Sequence, residues 1–336
     1  MMMMKGDPVE SYYLLKDTLN ERNYFLQAAP YLIHELPLLI PSKSLFWTLF
    51  WYFPGSLGYH LIYLKQLMKS DFTVSVSGPK FISRTQLARD YAGLKALHGQ
   101  YGSIMSEAQM SDSRMNLQSL FTAAVDDYIP GMKGATLANY VEMTEFTKGE
   151  DGRINGVVCR DKMDPNGKPF PVKAKVVVNC AGVHADEIRI KDLPEADKRI
   201  VPSRGTHLMF KKGLLTGTQG MIVPETSDGR LLFIINYYGH PMVGTTDEFC
   251  DATHHCGPSQ EEIDFICSEI KPFFGEDYDF KANLISAWAG LRPLVKESSH
   301  EKAADDSVKI KTWRDTFTGI FQSNLRWVAF KLQGSK

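Results

Sequence analysis

Three short stretches carry side chains of the kind that do chemistry. Ser203–Phe210, SRGTHLMF, sets His207 in an alternating run. An imidazole titrates near neutrality, so it can take the hydroxyl proton of an alcohol while a hydride leaves the adjacent carbon; a structural histidine on a strand is the other reading. Trp288–Val295, WAGLRPLV, places Arg292 between Gly290 and Pro293. A planar guanidinium fork suits bidentate binding of a phosphate or carboxylate, and a surface salt bridge is the alternative. Val176–Gly182, VVVNCAG, ends an apolar run on Asn179, Cys180, Ala181 and Gly182. Small residues at the carboxyl end of a strand in an open α/β sheet let backbone approach a cofactor closely, although an ordinary strand exit has the same composition. Thr245, Thr246 and Asp247 either contact a ligand or turn a hairpin. His254 and His255 stand too isolated for a metal site, and no P-loop, GxSxG elbow or HExxH helix occurs.

The elements that must position these groups follow from periodicity. Tyr12, Leu15, Leu19 and Leu26 predict a helix from Val9 to Ala29, ended by Pro30. Alternation predicts a half-exposed strand over Phe72–Ser77, and Ser83 with Gln86 predicts a capping box ahead of a short helix. A helix opening at Ser111 or Asp112 is expected to bury Leu117, Leu120, Phe121, Ala124 and Val125, and Gly134–Glu142 returns as a strand. Gly156–Arg160 and Phe170–Val178 read as a hairpin around Pro165, Asn166 and Gly167. Val176, Val177 and Val178 suit a sheet covered on both faces. Arg204–Thr246 reads as an antiparallel meander in which Thr206, Leu208 and Phe210 alternate with His207, Met209 and Lys211. A last helix starts at Ser259, boxed by Glu262, and is expected to stop at Pro272. The fold class is therefore mixed α/β and α+β, a buried sheet accompanied by an antiparallel meander, which suggests a cofactor layer and a substrate layer.

Composition removes whole classes of function. Over 336 residues, 43% are hydrophobic and 23% charged, as in an ordinary globular protein. A net charge of -1 offers no footprint for nucleic acid. The cysteines 159, 180, 250, 256 and 267 show no CxxC pairing and read as reduced thiols. Met1–Met4 lead into Lys5, Gly6 and Asp7, so no secretory signal is expected. Leu45–Leu64 is rich in Phe and Trp, but Pro54 and Gly55 break it, which argues against a spanning helix. It is either a buried segment or a patch in the bilayer interface, with Lys65 and Lys69 toward the headgroups.

Taken together, Thr226–Glu248, Pro202–Phe210, Val176–Arg189 and Ser286–Val295 resemble, in order and spacing, the FAD-dependent glycerol-3-phosphate dehydrogenases of the mitochondrial, quinone-linked type. Leu15–Leu32 and Ser111–Leu117 are similar too, so the resemblance runs from Val9 to His300. It implies a two-layer flavoprotein, with an incomplete FAD-binding Rossmann-like part (residues 1–40, 100–192 and 286–336) interleaved with an antiparallel-sheet, substrate- and membrane-facing part (41–99 and 193–285), that oxidises sn-glycerol 3-phosphate to dihydroxyacetone phosphate and passes electrons to a membrane quinone. Arg292 would hold the substrate phosphate or its reacting oxygen with Thr246 beside it, His207 would accept the proton, and Cys180, Ala181 and Gly182 would lie against FAD. No metal is implied, nor any nucleic-acid partner, and a homodimer is left open. The expected location is the surface of the mitochondrial inner membrane in a eukaryote, or of the cytoplasmic membrane otherwise. An oxidase that uses oxygen, or a non-catalytic truncated paralogue acting as an interaction protein, are the alternatives. Two departures stand out: no GxGxxG turn with a following His- and Arg-bearing loop precedes Val9, and Thr318–Lys336 lacks the Gly-Gly-Lys and Thr-Thr-Tyr-Arg segments of the family.

Overall fold

The structure, a computed structural model, describes residues 8–91, 93–94, 100–215, 219–224, 226–275 and 277–295. Helix α1 (Pro8–Ala28) leads into β1 (Ile33–Ser42). A continuous helical stretch follows, built of α2 (Leu45–Trp47), a π-helical turn (Thr48–Tyr52) and α3 (Phe53–Leu67). Then come β2 (Lys80–Ile82), α4 (Arg84–Asp90), β3 (Tyr101–Met110) and α5 (Asp112–Ala124). The strands β4 (Val141–Lys148), β5 (Ile154–Asp161) and β6 (Phe170–Lys173) precede a 3-10 turn (Gly182–His184) and α6 (Ala185–Asp192). The meander contains β7 (Ile200–Phe210), β8 (Gly220–Val223), β9 (Leu232–Tyr237), β10 (His240–Gly244) and β11 (Glu248–Phe249). Finally α7 (Gln260–Phe274) and α8 (Phe280–Asn283) lead to β12 (Leu284–Val295).

The chain divides into two compact units. The first gathers the described residues of Met1–Ser111, Arg204–Glu248 and Thr253–Leu291. Its sheet runs in the order β11-β7-β10-β9-β8-β1-β3-β2, with β12 against β7. β1 and β3 form its longest ladder, antiparallel from Ile33↔Met110 to Ser42↔Tyr101. Thus residues 33–40 and 101–110, grouped from the sequence with the cofactor-binding part, pair within the sheet of the meander. The predicted alternation of β7 is present: Leu208 and Phe210 are fully buried and Thr206 is buried with them, while His207 and Met209 are half-exposed. Ile266 and Ile270 of α7 pack into the same core as Leu208, Phe210 and Ile234. Both predicted capping boxes, Ser83 with Gln86 and Ser259 with Glu262, are made in full.

Two expectations are corrected in this unit. Phe72–Ser77 pairs with no strand among the described residues, and side chains take its backbone groups instead. Gln27 Oε1 accepts from the Thr73 amide at 2.9 Å, Tyr63 Oη from Val76 at 3.0 Å and Glu35 Oε1 from Ser77 at 2.9 Å. Likewise α7 passes through Pro272 and ends at Gly275, whose φ of 101° favours glycine. A proline in the last turn removes a single helical hydrogen bond, which that position tolerates better than the middle would.

The second unit holds the described residues of Asp112–Ser203, Phe249–Ala252 and Arg292–Lys336; the tail predicted to depart from the family lies outside the described residues. Its three-stranded antiparallel sheet has the order β4-β5-β6. The predicted hairpin is its second half, with Gly156↔Lys173 and Cys159↔Phe170 in register. Strand β4 begins at Val141, later than the expected Gly134. Buried Asp186 ties α6 to the start of β7 by accepting from the Arg199 and Ile200 amides at 2.6 and 2.7 Å. The helix at Asp112 forms as expected, yet it buries no residue, and Phe121 is 58% exposed. Nor is Val176–Val178 a covered strand: Val176 and Val178 are 63% and 57% exposed. A strand persists only where its N–H and C=O groups find partners, and among the described residues none is aligned beside this run.

Ile234 sits in the middle of the large sheet with no exposed surface. Ile234→Ala is expected to lower unfolding free energy by roughly 2–5 kcal/mol, measured by urea denaturation. Phe50→Ser, on an exposed face, should stay within about 0.5 kcal/mol of the parent.

Candidate functional site

His207 is placed by the pairing of β7 with β10, which sets it opposite Gly244. Two neighbours fix its ring. Trp288 on β12 stacks on the imidazole, with centroids 5.7 Å apart and planes 10° from parallel. On Gly244, a Cβ would come within 2.5 Å of His207 Cδ2. Only a residue without a side chain leaves the imidazole its present position.

The neighbouring strand segments are knotted through one carboxylate. Glu262, 4% exposed, accepts from the Thr246 hydroxyl at 2.6 Å and from the Ser259 amide at 2.9 Å, and pairs with Arg204 Nε at 2.9 Å. Thr246 Oγ1 in turn accepts from the Thr206 amide, one residue before His207, at 2.9 Å. Burial pushes the Glu262 carboxyl up, but the hydrogen bonds from Ser259 and Thr246 and the Arg204 charge outweigh it and hold the group below the usual glutamate range. Thr246 is 1% exposed, so its side chain works within the protein at the site, with its hydroxyl engaged on both sides.

The remaining sequence-derived residues belong to the second unit. Cys180, Ala181 and Gly182 are exposed at the entry to the 3-10 turn. Asn179 Oδ1 accepts from the Ala181 amide at 3.1 Å, which folds the backbone over. Gly182 has φ of 57°, and a Cβ built there would meet nothing within 4 Å. The backbone at Ala181–Gly182 is therefore open on that side. Arg292 lies half-buried on β12. The structure thus brings His207, Thr246 and Trp288 together in the first unit and keeps Cys180, Ala181 and Gly182 as one turn of the second. Among the described residues no cluster of His, Cys, Asp and Glu could hold a metal ion.

The sequence profile of the FAD dependent oxidoreductase family matches residues 60–309. The chain belongs to that family. Its curated relatives include the mitochondrial glycerol-3-phosphate dehydrogenase of Mus musculus, 33% identical over 308 residues, which cover 88% of this chain and 39% of that protein. The probable mitochondrial glycerol-3-phosphate dehydrogenase of Dictyostelium discoideum is 34% identical over 323 residues, 92% of this chain and 46% of the relative. The chain therefore spans less than half the length of these curated relatives. The fold is also that of the Bacillus halodurans glycerol-3-phosphate dehydrogenase solved with FAD, at a TM-score of 0.64 and 22% identity, over 92% of this chain and 55% of the other. A flavin of this oxidoreductase family needs backbone that it can approach without a clash, and the open face at Ala181–Gly182 fits that need.

Trp288, Gly244, Arg204 and Glu262 escaped the sequence reading as site residues. Glu262 was visible only as the last member of an S-x-x-E capping box, and nothing local marks a capping residue as serving a strand as well. Replacing Gly244 with Ala is expected to displace the His207 ring resonances in a proton–carbon NMR spectrum, because the ring must yield to the new methyl. Trp288→Leu should move them downfield through loss of the indole's ring current; unchanged resonances in both variants would contradict the placement of His207.

Proposed function

We propose that the chain catalyses FAD-dependent oxidation of sn-glycerol 3-phosphate to dihydroxyacetone phosphate and passes the electrons to a quinone at a membrane surface. The observation that carries the proposal is the fixed imidazole of His207 in a chain of this family, whose curated relatives are named for that substrate. Cys180, Ala181 and Gly182 would hold FAD, which would supply the acceptor for the hydride. His207 takes the proton from the substrate's secondary hydroxyl, and Trp288 and Gly244 hold its ring so that proton transfer has a defined direction. Arg292 holds the phosphate, since a guanidinium keeps its charge at any working pH and matches the phosphate oxygens with paired N–H groups.

The helical stretch Leu45–Leu67 supports the membrane part of the proposal, because its polarity is inverted. Its inward residues are Thr48, Ser56, Tyr63 and Gln66, all buried. Thr48 donates to the Ser44 carbonyl at 2.9 Å, and Ser56 Oγ lies 3.0 Å from Ser103 Oγ. Its outward residues are apolar: Phe46 is 61% exposed, Trp47 53%, Phe50 67% and Leu61 56%. Lys43, Lys65 and Lys69 are exposed around them. An exposed aromatic face edged by lysines suits the headgroup region of an anionic bilayer. Among the described residues no helix is long and apolar enough to cross a membrane, so the contact is with one leaflet. By kinship with relatives named mitochondrial, that surface is the mitochondrial inner membrane.

The purified chain given FAD is expected to become yellow and to reduce a short-chain quinone when glycerol 3-phosphate is added. Arg292→Ala should raise KM for the substrate roughly 10- to 100-fold, the loss of one charged hydrogen-bonding partner. His207→Gln should lower kcat by about 100-fold or more. Hydrogen peroxide in place of reduced quinone would identify an oxidase, and a protein that stays colourless would identify a non-catalytic interaction protein. Separately, the chain is expected to sediment with phosphatidylcholine vesicles that contain an anionic lipid. Phe50→Ser with Trp51→Ser should weaken that binding by at least about tenfold, as each buried side chain contributes roughly 1.5–3 kcal/mol.

A further inference from the structure

We infer that Glu262 is a positioning residue for His207, acting through Thr246 and Arg204, and that its capping of α7 is the lesser of its two roles. The assignment rests on His207 as the proton acceptor proposed above. A helix cap needs one acceptor for the orphan amides at the helix start. Glu262 offers the Ser259 amide that contact with Oε2, at 2.9 Å. The rest of the carboxylate is turned to the sheet: Oε1 receives the Thr246 hydroxyl at 2.6 Å, and Oε2 also faces Arg204 Nε at 2.9 Å. Arg204 and Thr206 both lie on β7 within three residues of His207.

The direction of every bond in this chain is determined. The Thr206 amide can only donate, so Thr246 Oγ1 accepts it and must turn its own proton toward an acceptor. A carboxylate held ionised is such an acceptor, and one that never competes as a donor. The β7 backbone beside His207 is therefore pinned by a relay that begins at Glu262, across to the residue that follows Thr245 in the β10–β11 connection. Because the carboxylate sits at 4% exposure, water does not readily replace a missing partner, and loss of the negative charge leaves Arg204 and Thr246 to reorganise. A small displacement is enough to matter for proton transfer, where misplacement by about 1 Å costs on the order of a hundredfold in rate.

Three variants of the full chain separate positioning from capping. Glu262→Gln keeps the shape and can keep a cap, but it presents one neutral acceptor oxygen where a hydroxyl, an amide and the Arg204 charge converge. Thr246→Val cuts the relay and leaves the capping box intact. Ser259→Ala weakens the cap and leaves the relay intact. The readout is the ring resonances of His207, assigned from their disappearance in His207→Gln and read without flavin or substrate; a cooperative thermal melt of each variant confirms that it is folded. Glu262→Gln and Thr246→Val are expected to shift the His207 resonances in the same sense, and Ser259→Ala to leave them in place. In protein that turns over, the first two should also lower kcat by roughly 10- to 100-fold with little change in KM. The inference is overturned if Glu262→Gln leaves the His207 resonances unmoved, or if Ser259→Ala moves them as far. Failure of the proposed activity would show itself differently, as turnover of the parent chain that is absent or indifferent to His207→Gln, while the spectra of the three variants would still decide the role of Glu262.

Discussion

The backbone amide of Thr206 is satisfied by the hydroxyl of Thr246, which adds a side-chain bridge to the β7–β10 ladder that carries His207. A side chain that bridges two strand segments is itself mobile unless its own proton has a fixed destination, and the Glu262 carboxylate provides it. Burial of an ionised group is costly unless it is paired and hydrogen-bonded; here an amide and a hydroxyl donate to it and the Arg204 charge lies beside it. The requirement for compensation and the requirement for a rigid site are met by the same contacts. Order at the imidazole is thus inherited from a charge that does not touch it.

A second constraint shapes the helical stretch after β1. Helices on globular proteins normally turn apolar residues inward, whereas here the inward residues include the hydroxyls of Ser56 and Tyr63, matched to partners on β3 and nearby backbone. Arg22 of α1 reinforces the arrangement: it donates to the Ser106 carbonyl at 2.9 Å and lies over the Tyr63 ring at 5.0 Å. Tyr59 donates to Glu107, which Arg22 also faces at 3.4 Å. Polar contacts therefore fasten the helix to its unit, and the outer face is left free of any role in folding. That division of labour lets an aromatic surface persist without a covering element among the described residues.

Much of the fold was legible where a local signal and the tertiary environment agree. The alternation of Thr206, Leu208 and Phe210, the two capping boxes and the first helix all appear where the sequence put them. Failures fall where the deciding partner is remote in sequence. Phe72–Ser77 has the period of a strand, but Gln27, Glu35 and Tyr63 claim its amides, and no window of six residues contains that information. Strand β1 was overlooked because Pro37 and Pro41 are poor strand residues by propensity, yet a ladder of ten residue pairs with β3 carries them. The site shows the same split: His207 stood out by type, while Gly244 and Trp288 acquire meaning only through strand pairing and ring stacking.

The vacant side of Gly244 has a consequence for heredity. Every missense change at a glycine codon adds at least one carbon, and at this position the nearest space for it is already filled by the imidazole. A residue with no functional group thus sets the room left for the ring opposite, and every allele at this codon that adds a side chain acts first on the placement of His207.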